Sequence, residues 1–147
     1  MHPSNLSCFT ETRFDIFVST MIHPALYIAE SNGKGRGVFT HEKIPAHTLV
    51  EIAPVLVMTL AERKLLDQTL LHDYIFEWGE NRDQCCMALG WAAVYNHSYE
   101  SNCEYEMDFE KQTIAVKTIR EIEAGEELSV NYNGDWNNNK AVWFQTK

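Results

Sequence analysis

The sequence of 147 residues has no apolar run approaching the ~20 residues that a bilayer-spanning helix needs. It has no basic segment followed by an apolar block after Met1-His2-Pro3-Ser4-Asn5, which is the pattern of a secretory leader. These two absences predict an intracellular, cytoplasmic protein. No Cys-x-x-Cys pair occurs, so the commonest spacing of a zinc site or redox dithiol is missing. The four cysteines are Cys8, Cys85, Cys86 and Cys103. Cys85 and Cys86 would point to opposite faces of a strand, so free, partly buried thiols are the expected state. Basic charge is also scarce. Lys and Arg number 12 against 21 Asp and Glu, a formal net charge of -9. That balance opposes direct nucleic-acid or membrane binding and favours a basic partner. No internal repeat is present, and Asn137-Asn138-Asn139 is the one low-complexity tract.

What is present reads as many short strands. Candidates are Leu26 to Ala29, Val38 to Thr40, Thr48 to Met58 and Tyr74 to Trp78. Pro54 inside the long stretch marks an edge or a bulge. Thr59-Leu60-Ala61-Glu62 has the form of a capping box, and helix formers follow from Ala61 to Leu71. Cys86 to Val94 is apolar and could be a buried strand running into a short helix, which periodicity alone does not decide. Glu104 to Phe109 and Thr113 to Thr118 flank Glu110-Lys111-Gln112, a hairpin signal. Gly125 permits a tight turn, and Leu128, Val130 and Tyr132 then alternate with Ser129 and Asn131. The chain is therefore mainly β, one domain with one or two short helices. Residues 1–20 lack any sustained period and read as a loosely attached extension, with Met21 as a second natural start. Residues 21–135 form the domain. Residues 136–147 form a tail whose Trp136, Trp143 and Phe144 are expected to dock back onto it.

The acidic residues bunch. Glu100, Glu104, Glu106, Asp108 and Glu110 form one run, and Glu121, Glu123, Glu126 and Glu127 another. Two such regions could flank a groove for a cationic peptide, although most surface carboxylates only support solubility.

Three stretches carry a family likeness. Gly33-Lys34-Gly35-Arg36-Gly37-Val38-Phe39 resembles the Gly-x-Gly-hydrophobic-Phe opening of the SET domain family of protein lysine methyltransferases. Tyr95-Asn96-His97-Ser98-Tyr99-Glu100-Ser101-Asn102-Cys103 resembles that family's Asn-His-Ser-Cys-x-Pro-Asn segment. Gly125-Glu126-Glu127-Leu128-Ser129-Val130-Asn131-Tyr132 is similar to its Gly-Glu-Glu-Leu-Thr-x-x-Tyr close. Each motif alone is unspecific, but the three occur in the family's order across roughly residues 25 to 135.

The resemblance implies a β-clip-like fold of several small sheets with a C-terminal pseudoknot, a rare exception to unthreaded topology. It implies S-adenosylmethionine as methyl donor and a lysine-bearing basic protein as substrate. By the same resemblance the main chain of Lys34, Gly35 and Arg36 holds the donor, with a basic side chain there suited to its carboxylate. Asn96 and His97 hold its adenine and amino-acid ends, and an aromatic of the tail, Trp136 or Trp143, could cover the adenine. Tyr132 is the principal catalytic candidate, a phenol that orients the substrate amine. Tyr105 is a second channel residue, whose hydroxyl can hold a water in the space of further methyl groups and so limit the product to mono- or dimethyl-lysine. Tyr74, Tyr95 and Tyr99 are further channel candidates, each better suited to core packing. The substrate lysine must react as neutral amine against a free pKa of about 10.4, and an apolar channel favours that form.

The sequence departs from the family pattern in places. Tyr99 and Ser101 replace its cysteine and proline, and Ala92-Ala93 stand where an arginine often precedes Asn96. No Cys-x-Cys cluster follows Tyr132, so no zinc is expected and the aromatic tail or a partner must close the channel. This compact form looks like bacterial or viral members, and a chain this small could form a homodimer to complete its substrate groove. Two other readings are a catalytically silent SET-like module that binds a basic peptide, and a clip-like β domain sharing only the glycine-rich opening and the Ile44 to Leu49 turn.

Overall fold

A computed structural model describes residues 20–135 and 137–142. Its strands are β1 (Met21–Ile22), β2 (Leu26–Ser31), β3 (Gly35–Thr40), β4 (Leu49–Thr59), β5 (Ile75–Trp78), β6 (Gln84–Ala88), β7 (Asn96–His97), β8 (Cys103–Asp108), β9 (Thr113–Thr118) and β10 (Glu127–Val130). One helix, α1 (Leu60–Leu66), follows β4. A six-stranded sheet runs β5-β6-β4-β9-β8 with β1 also on β4, and a four-stranded sheet runs β2-β3-β10-β7.

β4 is the spine of the larger sheet. Its first half pairs with β9 as far as Pro54, and its second half pairs with β6 from Val55 onward. The expectation of an edge or bulge at Pro54 is corrected: the strand is interior, and its register shifts between Leu49 and Glu51. Pro54 sits where β4 changes partner, so its missing N–H interrupts neither ladder. The capping box forms as read. Thr59 accepts from the Glu62 N–H, and Glu62 Oε2 accepts from the Thr59 N–H at 2.8 Å. The helix stops at Leu66, short of the expected Leu71, because Thr69 is extended and caps a separate 3-10 turn over Leu70–Asp73. Beyond Ala88 the strand runs into turns over 89–94 and not into a helix. There the N–H groups of Trp91 and Ala92 bond to the Glu51 carboxylate instead of forming a helical ladder.

β10 determines where the site forms. It lies inside the smaller sheet, antiparallel to β3 and parallel to β7, with Ser129 opposite Asn96 and Val130 opposite His97. The predicted alternation holds at Leu128 and Val130, which are both buried; Asn131 is buried as well and bonds to the tail. One apolar cluster joins the sheets, with Val38, Leu128 and Val130 from the smaller, Val50, Ile114 and Val116 from the larger, and Tyr95 between the motifs. A bridge between Ile44 and Ile122, both fully buried, ties two long connections together. Cys85, Cys86 and Cys103 are free and fully buried, more so than expected, and burial raises the Cys86 and Cys103 thiols to about 12. Among the described residues no helix is long and apolar enough to cross a membrane. The proposed extension is almost wholly outside the described residues, as are Trp136, Trp143 and Phe144.

Candidate active site

The parallel pairing of β7 with β10 brings the second and third sequence motifs side by side. The Ser98 N–H donates to the Val130 carbonyl at 3.1 Å and extends the pairing. The Tyr132 N–H donates to His97 Nδ1 at 3.2 Å, and the two rings lie 5.3 Å apart. An imidazole nitrogen that accepts from a backbone N–H carries no proton, so His97 is neutral with its hydrogen on Nε2. Burial, assisted by the Lys34 charge, lowers its pKa.

The glycine-rich stretch joins from β3. Asn96 Nδ2 donates to the Arg36 carbonyl at 3.2 Å and to Glu127 Oε1 at 2.7 Å. The Ser31 hydroxyl donates to Glu127 Oε2 at 2.8 Å, and Lys34 Nζ donates to the His97 carbonyl at 3.2 Å. Lys34, Arg36, Asn96, His97 and Tyr132 thus belong to one hydrogen-bonded cluster, with Gly35 opening β3 beside them. The three glycines differ in task. Gly33 and Gly35 have φ of +74° and +76°, which glycine adopts without strain, and nothing lies within 4 Å of where a Cβ would stand. Gly37 has no such φ; its Cβ would overlap Glu127 Oε1 and crowd Asn96 Nδ2. Gly37 therefore makes room for the Asn96–Glu127 pair, where the sequence suggested a third point of close approach to a ligand.

Two supporting residues escaped the sequence reading. Asn102 is buried; its Nδ2 donates to the Glu127 carbonyl at 2.8 Å and its Oδ1 accepts from the Ser129 N–H at 2.8 Å. It thereby acts as a side-chain strand partner for β10. Glu127 was read in an acidic run and within the third motif, without a role of its own. A carboxylate just after a turn, one strand from a glycine-rich loop, was the available signal.

On the far side of Tyr132 lies a cavity of about 780 Å³. Tyr132, Tyr105, Tyr74, Phe76, Ala92 and Met107 form its apolar wall, while Asp73, Glu77, Glu80, Asp135, Arg63 and Arg82 bring charge to it. The Tyr132 hydroxyl donates to the Tyr95 carbonyl at 2.8 Å. Its one hydrogen is thus committed, and towards a ligand the oxygen acts as an acceptor. Burial raises Tyr132 and Tyr105 to about 12, so both stay phenols at neutral pH. Tyr105 packs its ring edge-on to Phe76 and borders a second cavity of about 300 Å³ lined also by Glu104, Glu106 and Asp135. Of the other tyrosines, Tyr74 lines the large cavity and Tyr95 is fully buried. Tyr99 packs edge-on against His97 and its hydroxyl accepts from the Val142 N–H, so it anchors the tail.

Members of the acidic runs are partly engaged by cations, while Glu104 and Glu106 line the second cavity. Glu121 and Glu123 pair with Lys43, Glu126 with Arg120, and Asp108 with Lys111. The carboxylates at the large cavity are instead isolated ones in the sequence. No cluster of three or more His, Cys, Asp or Glu that could hold a metal exists among the described residues.

The sequence profile of the SET domain family matches residues 35–133. A Schizosaccharomyces pombe protein named histone-lysine N-methyltransferase, H3 lysine-37 specific, is 36% identical over 126 residues, covering 85% of this chain and 80% of that one. It is a fungal relative, where the compact form had suggested bacterial or viral ones. A crystal structure of a Plasmodium falciparum protein described as a histone methyltransferase aligns with a TM-score of 0.60 and 26% identity, over 78% of this chain and 98% of that one. A Chaetomium thermophilum Polycomb Repressive Complex 2 structure, a humanized mutant, aligns with a TM-score of 0.65 and 20% identity, over 79% of this chain and 16% of that one, and shares the fold. This chain belongs to the SET domain family of protein-lysine methyltransferases.

Proposed function

We propose that this protein methylates a lysine of a basic, histone-like protein with S-adenosylmethionine as donor, and that Tyr132 is its catalytic residue. The observation that carries this reading is the position of Tyr132. Its N–H is fixed to His97, its hydroxyl to the Tyr95 carbonyl, and it lines the large cavity. The glycine-rich strand and the Asn96–His97 strand fit the donor: exposed backbone at Gly33 to Arg36, open space beside both positive-φ glycines, and a lysine ammonium nearby to meet a carboxylate. S-adenosylmethionine, when bound, supplies an electrophilic methyl group.

The chain's own residues prepare the amine. The aromatic wall strips water from the lysine side chain and favours its neutral form. Tyr132 then accepts a hydrogen bond from the amine and so fixes the direction of the nitrogen lone pair. Because Tyr132 stays a phenol, it orients and does not remove the proton. Most of the rate gain is positional. Asp73, Glu77, Glu80 and Asp135 attract the basic residues around the target.

The test is transfer of labelled methyl to recombinant core histones. Wild type should label a histone, and Tyr132→Phe should lose about a hundredfold or more in rate while still binding S-adenosylmethionine by calorimetry. Donor binding without transfer to any basic protein would instead identify a silent binding module.

A further inference from the structure

Glu51 is the one buried carboxylate among the described residues, and the methyl-transfer reading gives it no part. It lies on β4, opposite Ile22 of β1 and Val116 of β9, far in sequence from the motifs. Its Oε1 accepts from the N–H groups of Trp91 at 2.6 Å and Ala92 at 3.0 Å. A Cβ at Gly90 would overlap the same oxygen, so the path of the turn is moulded on the carboxylate. At the end of that turn stands Tyr95, also fully buried. Its hydroxyl and Glu51 Oε2 are both shut off from water and neither makes a well-formed hydrogen bond, yet each perturbs the other's ionisation. The Tyr95 carbonyl is the acceptor for the Tyr132 hydroxyl.

An apolar side chain at position 51 would fill the space with no desolvation cost, but would leave two backbone N–H groups unpaired. The turn from Gly90 to Tyr95 could then settle elsewhere and carry the Tyr95 carbonyl with it. We propose that Glu51 is a positioning residue for Tyr132. It holds, through the Trp91 and Ala92 N–H groups, the turn that presents the acceptor for the catalytic phenol. This rests on Tyr132 being that phenol.

Two measurements test it on the full-length protein. The first is the ring Cζ resonance of Tyr132 in 13C-tyrosine-labelled protein, assigned by its loss in Tyr132→Phe. Glu51→Leu should shift it, because the two turn N–H groups lose their acceptor and the Tyr95 carbonyl moves; Glu51→Gln, which keeps an amide oxygen for them, should shift it less. An unmoved resonance in Glu51→Leu overturns the proposal. The second is a double-mutant cycle in single-turnover methyl transfer to recombinant histone H3. Glu51→Leu should slow wild type about tenfold with donor affinity unchanged within about twofold, and should slow Tyr132→Phe no further. An equal loss in both backgrounds means general loosening of the fold and sinks the idea. If Glu51→Leu does not fold, Glu51→Gln carries both measurements at smaller amplitude, and no change in either overturns the proposal. If Tyr132→Phe is fully active, the reading of the site fails instead, and the resonance still reports on Glu51.

Discussion

The two sides of Tyr132 are built differently. Towards β3 and β7 the site is made of main chain and a closed set of short polar contacts, with Asn96, Glu127, Asn102 and His97 each bonded to a neighbouring strand. Towards β5 and β8 it is a wide cavity with an aromatic floor and charged residues around it. The first side suits one small molecule of fixed shape. The second suits a flexible chain recognised by charge and by one inserted side chain. Fixed backbone makes the donor side intolerant of change, whereas exposed charges can vary with little effect on the fold.

The sharpest way to break that contrast is Gly37→Ala. A methyl group there must displace the Asn96–Glu127 pair. Overpacking of this kind costs about 1–3 kcal/mol, so unfolding in urea should shift to lower concentration. Donor affinity should fall by about tenfold or more, in proportion to the energy needed to restore the pair. Equal donor affinity in the variant and wild type would mean that this network does not shape the donor side. On the other side, Glu80→Lys combined with Asp135→Lys should leave stability and donor affinity unchanged. It should raise KM for a basic protein about tenfold at low salt, and the gap should narrow as salt screens it. A rise that salt does not touch would mean that these carboxylates act by shape and not by charge.

A smaller effect is expected at the floor of the cavity. Tyr105→Phe removes a hydroxyl from the wall that Tyr105 shares with Tyr132. The reaction should still run, and intact-mass analysis of the product should show more methyl groups per lysine than wild type. Trimethyl-lysine as the main wild-type product would end the idea that Tyr105 limits the count.

The strand-built side of Tyr132 was legible in the sequence, whereas on the cavity side only Tyr74 and Tyr105 were named, by family resemblance, and the reason is physical. Backbone-made sites need glycine, asparagine and strand alternation at fixed spacing, and such patterns survive in one dimension. The capping box at Thr59 and Glu62 was readable for the same reason, since both partners lie within one turn. The cavity wall is assembled from Asp73, Phe76, Tyr105 and Asp135, residues that share no local pattern and meet only because β5, β8 and the tail converge. Glu51 was unreadable in the same way: nothing in Val50-Glu51-Ile52 tells that its partners are Trp91 and Ala92. Pro54 misled because local chemistry allows an edge, a bulge or a change of partner, and only the sheet decides among them.

His97 gives the subtlest test, because its ring fixes the Tyr132 backbone. Its folded pKa lies below the ordinary 6.5, chiefly through burial. As pH falls through 6.5 the unfolded chain binds a proton at this position before the folded chain does. The stability that neutral His97 contributes is therefore present above 6.5 and is lost as pH falls towards the depressed folded value. Protonation also fills Nδ1 and removes the acceptor for the Tyr132 N–H. Stability should begin to fall just below pH 6.5, and the single-turnover rate should fall only at lower pH, where the folded imidazole itself gains a proton. In His97→Gln the stability of the fold should depend less on pH across that interval. The same slope in the variant would assign the acid sensitivity to another histidine. A slope lost with the rate profile unchanged would mean that His97 stabilises the β7–β10 pairing without setting the position of the phenol.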